Sequence, residues 1–341
     1  MDPPVSEYGG AVPADAKFEL KDGEQGLICA FALGPPVPID AAALADDAPD
    51  VPPRWLHFNL ADTRARRWIE RQSTVHADAR EILVEPTSRV QGQIVRGSLV
   101  LVLADLHQDL RGGTEQVGTL AIYVDQRMIV TGRRHPLRSA DRLRRKLPQG
   151  MTTASSAELL EELLELLMDT FGELVARLSD DVDDAEDKIL TGHLHEQGAR
   201  LGRMRRLLAR LRRHARSNRS ALAAVLPRLP AWFDDERRQH LHEVAERMEA
   251  LAQDIELVQE RTRLLQEEIE GRLNEATNRN LFFLSVITAT MLPVNIITGI
   301  FGMNVGGLPW LQDAKGFHWV TGIMVVAVVA VLSILRRRRI F

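Results

Sequence analysis

Residues 281–301 read LFFLSVITATMLPVNIITGIF, 21 positions without a charge, and residues 317–335 read FHWVTGIMVVAVVAVLSIL, 19 positions whose only ionisable group is His318. Crossing a hydrocarbon core about 30 Å thick takes about 20 helical residues, so both stretches predict transmembrane helices. Arg272 and Arg279 precede the first, Arg336 to Arg339 follow the second, and the connection 302–316 holds Lys315 as its only cation. Positive charge is retained on the cytoplasmic side of a membrane. That rule places both termini in the cytoplasm, 302–316 in a periplasmic loop, and 336–341 in a basic cytoplasmic tail. Two helices per chain cannot wall off a path for a polar solute, so any transport requires an oligomer.

Outward from these spans the chain is densely charged. Its 341 residues are 45% hydrophobic and 26% charged, and the net charge of -4 averages over opposed blocks. Residues 1–60 carry 10 carboxylates against Lys17, Lys21 and Arg54, whereas residues 195–220 carry nine arginines against Glu196. The basic block lacks interleaved aromatics and follows an acidic helix of similar length, which argues for pairing with that helix and against nucleic acid. Cys29 is the only cysteine, so no intrachain disulfide forms and a cytosolic setting suits the charged part. Residues 1–21 are acidic, with no apolar core of a secretory signal.

Residues 1–150 read as a cytoplasmic α/β or α+β domain. Strands are expected at 26–33, 98–106, 119–124 and 128–131 from β-branched content and turn-forming flanks, and helices at 61–72, 78–83 and 137–147. Residues 151–232 then change to long helices. Leu164, Met168, Phe171, Val175, Leu178, Val182, Ala185 and Ile189 follow one 4-3 seam, capped at Ser155 or Ser156 and ended by Gly192. A basic helix over 195–226 carries Leu201, Met204, Leu208 and Leu211 on one face, and the two are expected to form an antiparallel hairpin with complementary charges. From Asp234 a third heptad pattern runs through Leu241, Val244, Met248, Leu251, Ile255, Val258, Leu265 and Ile269. No breaker follows before Pro293. Residues 233–280 are therefore the cytoplasmic part of one helix of more than 60 residues, about 90 Å at 1.5 Å per residue, that enters the membrane. The seams offer apolar stripes for oligomer assembly.

The first span is polar on one side. Asn274, Leu281, Thr288, Asn295 and Gly302 recur every seven residues beside the row Asn278, Ser285, Leu292 and Gly299. Around a symmetry axis such a face lines a pore, with carboxamide oxygens and backbone carbonyls holding a hydrated divalent ion and Leu281, Leu284 and Leu292 forming apolar constrictions. The alternative is that Ser, Thr and Asn glue helices together.

At the outer end of this helix stands Gly302-Met303-Asn304, followed by Val305-Gly306-Gly307-Leu308-Pro309-Trp310. With the long helix before it and the short cationic tail after it, the chain resembles the CorA metal-ion transporter superfamily, and the Val-Gly-Gly-Leu-Pro-Trp continuation is similar to its zinc-transport (ZntB) branch. The magnesium branch carries a glutamate-bearing loop that this sequence lacks. The resemblance implies a funnel-shaped homopentamer in the inner membrane, with a pore lined by the first span. Carried over by position, Asn304 forms the outer selectivity ring, with Asn295, Leu292, Leu284, Leu281 and Asn278 in rings below. The transported ion is then zinc, with cadmium, cobalt and magnesium as further candidates and no resident cofactor.

Other candidate metal ligands are Asp313 and His318 near the outer side, and Asp180, Asp184, His193 and His195 in the cytoplasm. The bland readings are an interfacial histidine, a solvated acidic helix face and a turn. His240 and His242 lie on different sides of a helix. No phosphate-binding loop, His-Glu-x-x-His or Gly-x-Ser-x-Gly motif occurs, so neither an ATP-driven pump nor an enzyme is expected. The competing functions are a magnesium or cobalt channel of the same superfamily and a membrane-anchored coiled-coil scaffold or sensor.

Overall fold

The run Ser98–Leu106, SLVLVLADL, is apolar at nearly every position, as a strand must be when both faces of its sheet are covered. In the computed structural model, which describes residues 26–34, 36–39, 52–72, 74–84, 89–108, 116–303, 308–309 and 315–337, this strand lies inside a seven-stranded sheet. The strands are β1 (Leu27–Ala32), β2 (Val37–Pro38), β3 (Arg54–Asn59), β4 (Gln91–Val95), β5 (Ser98–Leu106), β6 (Val117–Val124) and β7 (Met128–Arg133). Their order is β2-β1-β3-β7-β6-β5-β4, with β3 and β7 parallel and every other pair antiparallel. Helices α1 (Thr63–Arg71) and α2 (Ala77–Val84) bury Ala65, Ile69, Ala79 and Leu83 in one cluster with Leu56, Phe58, Val100, Ala121, Tyr123 and Val130 from the strands. Strand side chains alternate, so Trp55, Leu101, Ile122 and Ile129 occupy the other face and are equally buried.

Four strands and three helices match the sequence expectation within a few residues; β2, β3 and β4 are additions. β3 reads RWLHFN, and its Arg54 and His57 are buried beside the parallel β7. Thr131 Oγ1 accepts from Trp55 Nε1 at 2.8 Å and lies 2.7 Å from His57 Nδ1. Burial first, then Arg133 and Arg144, hold His57 well below its usual pKa, so its ring is neutral. β4 reads QGQIV, where glycine is required by space. A Cβ on Gly92 would stand 2.2 Å from the carbonyl oxygen of Ala221.

Helix α3 (Arg138–Lys146) follows β7, and Arg133 meets Asp141 in a buried fork with both bonds at 3.2 Å. Helix α4 (Ser156–Leu190) is capped as expected. Ser155 accepts from the Glu158 N–H at 3.2 Å, Glu158 accepts from the Ala154 N–H at 2.7 Å, and Gly192 closes the end at φ 90°. Helix α5 spans Leu194–Val225, α6 spans Asp235–Gly302 without interruption at Pro293, and α7 spans Gly316–Arg337.

Two expectations about the helices are corrected. First, the basic helix does not satisfy itself on α4 alone. Arg200 pairs with Asp181 at 2.5 Å and Asp184 at 3.0 Å, but Arg212 and Arg219 reach Glu256 and Glu249 on α6. Arg261 of α6 in turn takes Asp183 and Glu186. Charge is thus exchanged among three helices. Second, the heptad seams are not free for assembly: every seam residue named on α4, α5 and α6 is buried within a single chain. The chain divides into two compact units, Met1–Arg263 and Leu264–Phe341.

Candidate functional site

α6 and α7 are apolar where they are least covered. In each, the most hydrophobic 18-residue window has no buried residue within the chain, which is the reverse of a soluble core helix. Such surface is stable only against lipid or further protein.

The eight expected pore residues, Asn278, Leu281, Leu284, Ser285, Thr288, Leu292, Asn295 and Gly299, are all exposed. Phe282, Val286, Ala289, Pro293 and Ile297 are half-buried, and at about 100° per residue they form a stripe that borders the predicted row, Phe282 one turn after Asn278 and Ala289 one turn after Ser285. α7 is likewise half-covered along one stripe, Val320, Met324, Ala327, Val331 and Leu335. The structure thus brings the predicted residues onto one face and leaves that face unfilled by the chain itself.

Local bonding gives this face a definite polarity. Ser285 Oγ donates to the Leu281 carbonyl and Thr288 Oγ1 to the Leu284 carbonyl, both at 2.8 Å. Their protons are spent on the helix, so the hydroxyl lone pairs remain as acceptors, the polarity a cation's water shell requires. The carboxamides of Asn278 and Asn295 make no side-chain hydrogen bond among the described residues. Pro293 leaves the Ala289 carbonyl without its helical donor, and Ala289, one turn after Ser285, borders the polar face.

At the outer end α6 finishes at Gly302, and the Met303 N–H reaches the Ile300 carbonyl at 3.4 Å. Asn304 and Asp313 lie outside the described residues, as does the His195 side chain. His318 is exposed in the first turn of α7, edge-on to Phe317. The cytoplasmic candidates are not gathered. Asp180 is exposed, Asp184 is tied to Lys188 at 2.8 Å as well as to Arg200, and His193 Nδ1 stands 3.3 Å from Thr191 Oγ1. The bond to Lys188 and then that to Arg200 keep the Asp184 carboxyl below its usual range. Among the described residues no group of three or more His, Cys, Asp or Glu can hold a metal ion.

One feature went unread in the sequence. Leu257 and Leu264, 64% and 50% exposed, are large apolar residues on a charged stretch of α6. Counting back by sevens from Gly299, Leu292, Ser285 and Asn278 reaches Gly271, Leu264 and Leu257, so the signal was present as a continuation of the polar row.

The family is decided by the chain's overall match. Residues 53–337 fit the model of the CorA-like Mg2+ transporter protein family. The chain belongs to that family. It is 26% identical over 319 residues to the zinc transport protein ZntB of Yersinia enterocolitica, covering 93% of this chain and 94% of that one. It is also 26% identical over 309 residues to the divalent cation transporter CmaX of Pseudomonas aeruginosa, covering 89% and 92%. The structure of full-length CmaX superposes with a TM-score of 0.78 at 24% identity, covering 93% of this chain and 99% of that one, and so shares the fold.

Proposed function

We propose that this CorA-family member assembles with copies of itself, as a homopentamer in the cytoplasmic membrane, into a passage for divalent metal cations, with zinc as the principal substrate. The observation that carries this reading is the exposed face of α6. It holds carboxamides and outward lone pairs, borders the half-covered stripe, and leads to Gly302-Met303-Asn304. A single chain leaves that face open, and the exposed leucines Leu257 and Leu264 extend the same row, so other copies are the natural neighbours. Zinc is favoured over magnesium by the Val-Gly-Gly-Leu-Pro-Trp continuation and by the similarity to ZntB over nearly the whole chain. Both termini are placed in the cytoplasm on the charge asymmetry around the spans.

Lining oxygens without a membrane carboxylate suit a hydrated ion that passes without tight capture. Asn304 forms the outer ring, Asn295 and Asn278 the inner polar rings, and Leu281, Leu284 and Leu292 the constrictions. The test is flux of zinc, cadmium, cobalt and magnesium into proteoliposomes, beside an Asn304→Ala variant. Zinc entry that is lost in the variant supports the reading. Magnesium entry without zinc would assign the chain to the magnesium or cobalt class, and correctly inserted oligomers that pass no cation would refute transport.

A further inference from the structure

Arginines 212, 213 and 216 lie three and four residues apart on one face of α5, and Arg89 stands across from them where the chain enters β4. With Ser217 and Ser220 they line an open cavity of about 930 Å³. Four guanidinium groups around one space need compensation, and little is present among the described residues. Glu256 of α6 is 2.6 Å from Arg212 and 3.2 Å from Arg216. Arg89 and Arg213 are exposed and have no carboxylate partner among the described residues. Arg212 Nε is buried without an acceptor. His214, on the same wall, is held below its usual pKa by burial first and then by Arg213 and Arg210, as an uncompensated positive field demands.

We propose that this cavity binds a compact, non-aromatic oligophosphate anion of the pyrophosphate or tripolyphosphate kind. Guanidinium forks match phosphate oxygens two bonds at a time, and four of them around one space select several phosphate groups over one. The volume is at the upper end of small-ligand sites, about 300–1,000 Å³, and far exceeds one orthophosphate. Among the described residues no Phe, Tyr or Trp lines the cavity, and the half-buried imidazole of His214 is the one ring on its wall, so a nucleotide base finds little to stack on. The ligand competes with Glu256 for Arg212 and Arg216. Its binding therefore frees a carboxylate on α6, the helix that continues to Gly302.

The experiment is calorimetric titration of full-length protein in mild detergent with sodium tripolyphosphate, in metal-free buffer at low ionic strength. Saturable binding is expected, weakened about tenfold or more by Arg89→Ala and by Arg213→Ala, and less by Arg213→Lys. Glu256→Gln should tighten binding, because it removes the competing anion. Both arginines are exposed and lack a carboxylate partner among the described residues, so an unchanged unfolding midpoint certifies their variants as folded. The proposal is overturned by absence of saturable binding, by affinity indifferent to Arg89 and Arg213, or by weaker binding in Glu256→Gln. Orthophosphate binding as tightly as tripolyphosphate overturns the oligophosphate class, and ATP binding more tightly overturns the non-aromatic one.

Discussion

Replacing Asn218 by alanine should destabilise the sheet-bearing unit out of proportion to the atoms removed. In register, β4 pairs Gln91 with Val102 and ends there, so Ala104 on β5 has no strand partner on that edge. Asn218 of α5 takes the strand's place. Its Oδ1 accepts from the Ala104 N–H at 2.8 Å and its Nδ2 donates to the Ala104 carbonyl at 2.9 Å, with Asn218 only 2% exposed. Truncation strands one buried donor and one buried acceptor, each costing about 1–3 kcal/mol. A water admitted to the space relieves part of that, so the expected loss is about 2–4 kcal/mol. At about 2–4 °C per kcal/mol the unfolding midpoint should fall by about 4–16 °C. Thermal unfolding of the full-length protein in mild detergent, followed by fluorescence with Trp55 buried in this sheet, measures the change. Asn218→Leu, which excludes water, should be at least as damaging. A shift below about 2 °C for both variants would mean that the Ala104 edge is satisfied in another way, and the reasoning would fail.

Further expectations concern pH, packing, the lining and assembly. Burial raises the Asp105 carboxyl from its ordinary 3.8 to about 6, against bonds from Ser139 and the Leu106 N–H that lower it. The folded state therefore holds this proton more tightly than the unfolded one, so its contribution to stability is full below about 4, is lost as pH rises to about 6, and is constant above. Asp105→Asn should remove that component from a pH series of unfolding midpoints, and an unaltered profile would count against it. Gly92→Ala forces a Cβ to within 2.2 Å of the Ala221 carbonyl oxygen, which should cost about 1–3 kcal/mol or more in denaturant unfolding. Asn295→Leu should lower zinc flux about tenfold by removing one oxygen from the hydrated ion's path, while leaving oligomer size in detergent unchanged. Leu257→Glu with Leu264→Glu should do the reverse, shifting size-exclusion profiles to smaller species; an unshifted profile would remove this row from the subunit contact.

Local properties were readable because they are written in neighbouring residues. The two spans, the seams of α4 to α6, the Ser155 cap and the polar face of α6 each depend on hydrophobicity, period or spacing within one segment, and a helix fixes which side chains share a face. Long-range pairing is what the chain alone did not declare. β3 hides His57 in a core beside a parallel β7 that supplies Thr131, and β4 survives with QGQ because Gly92 must lie against α5. The arginine block announced only part of its partnership along the chain, the acidic helix before it that Arg200 meets. It became a shared ion-pair system when α6 folded back beside it, and an undercompensated cavity when Arg89, more than a hundred residues earlier, came up against it. Sequence by itself determined what must enter a membrane and which helix face is polar, since apolar area and helical period are local facts. Tertiary structure decided where the seams are buried and which charges remain unspent, since both depend on what each surface meets.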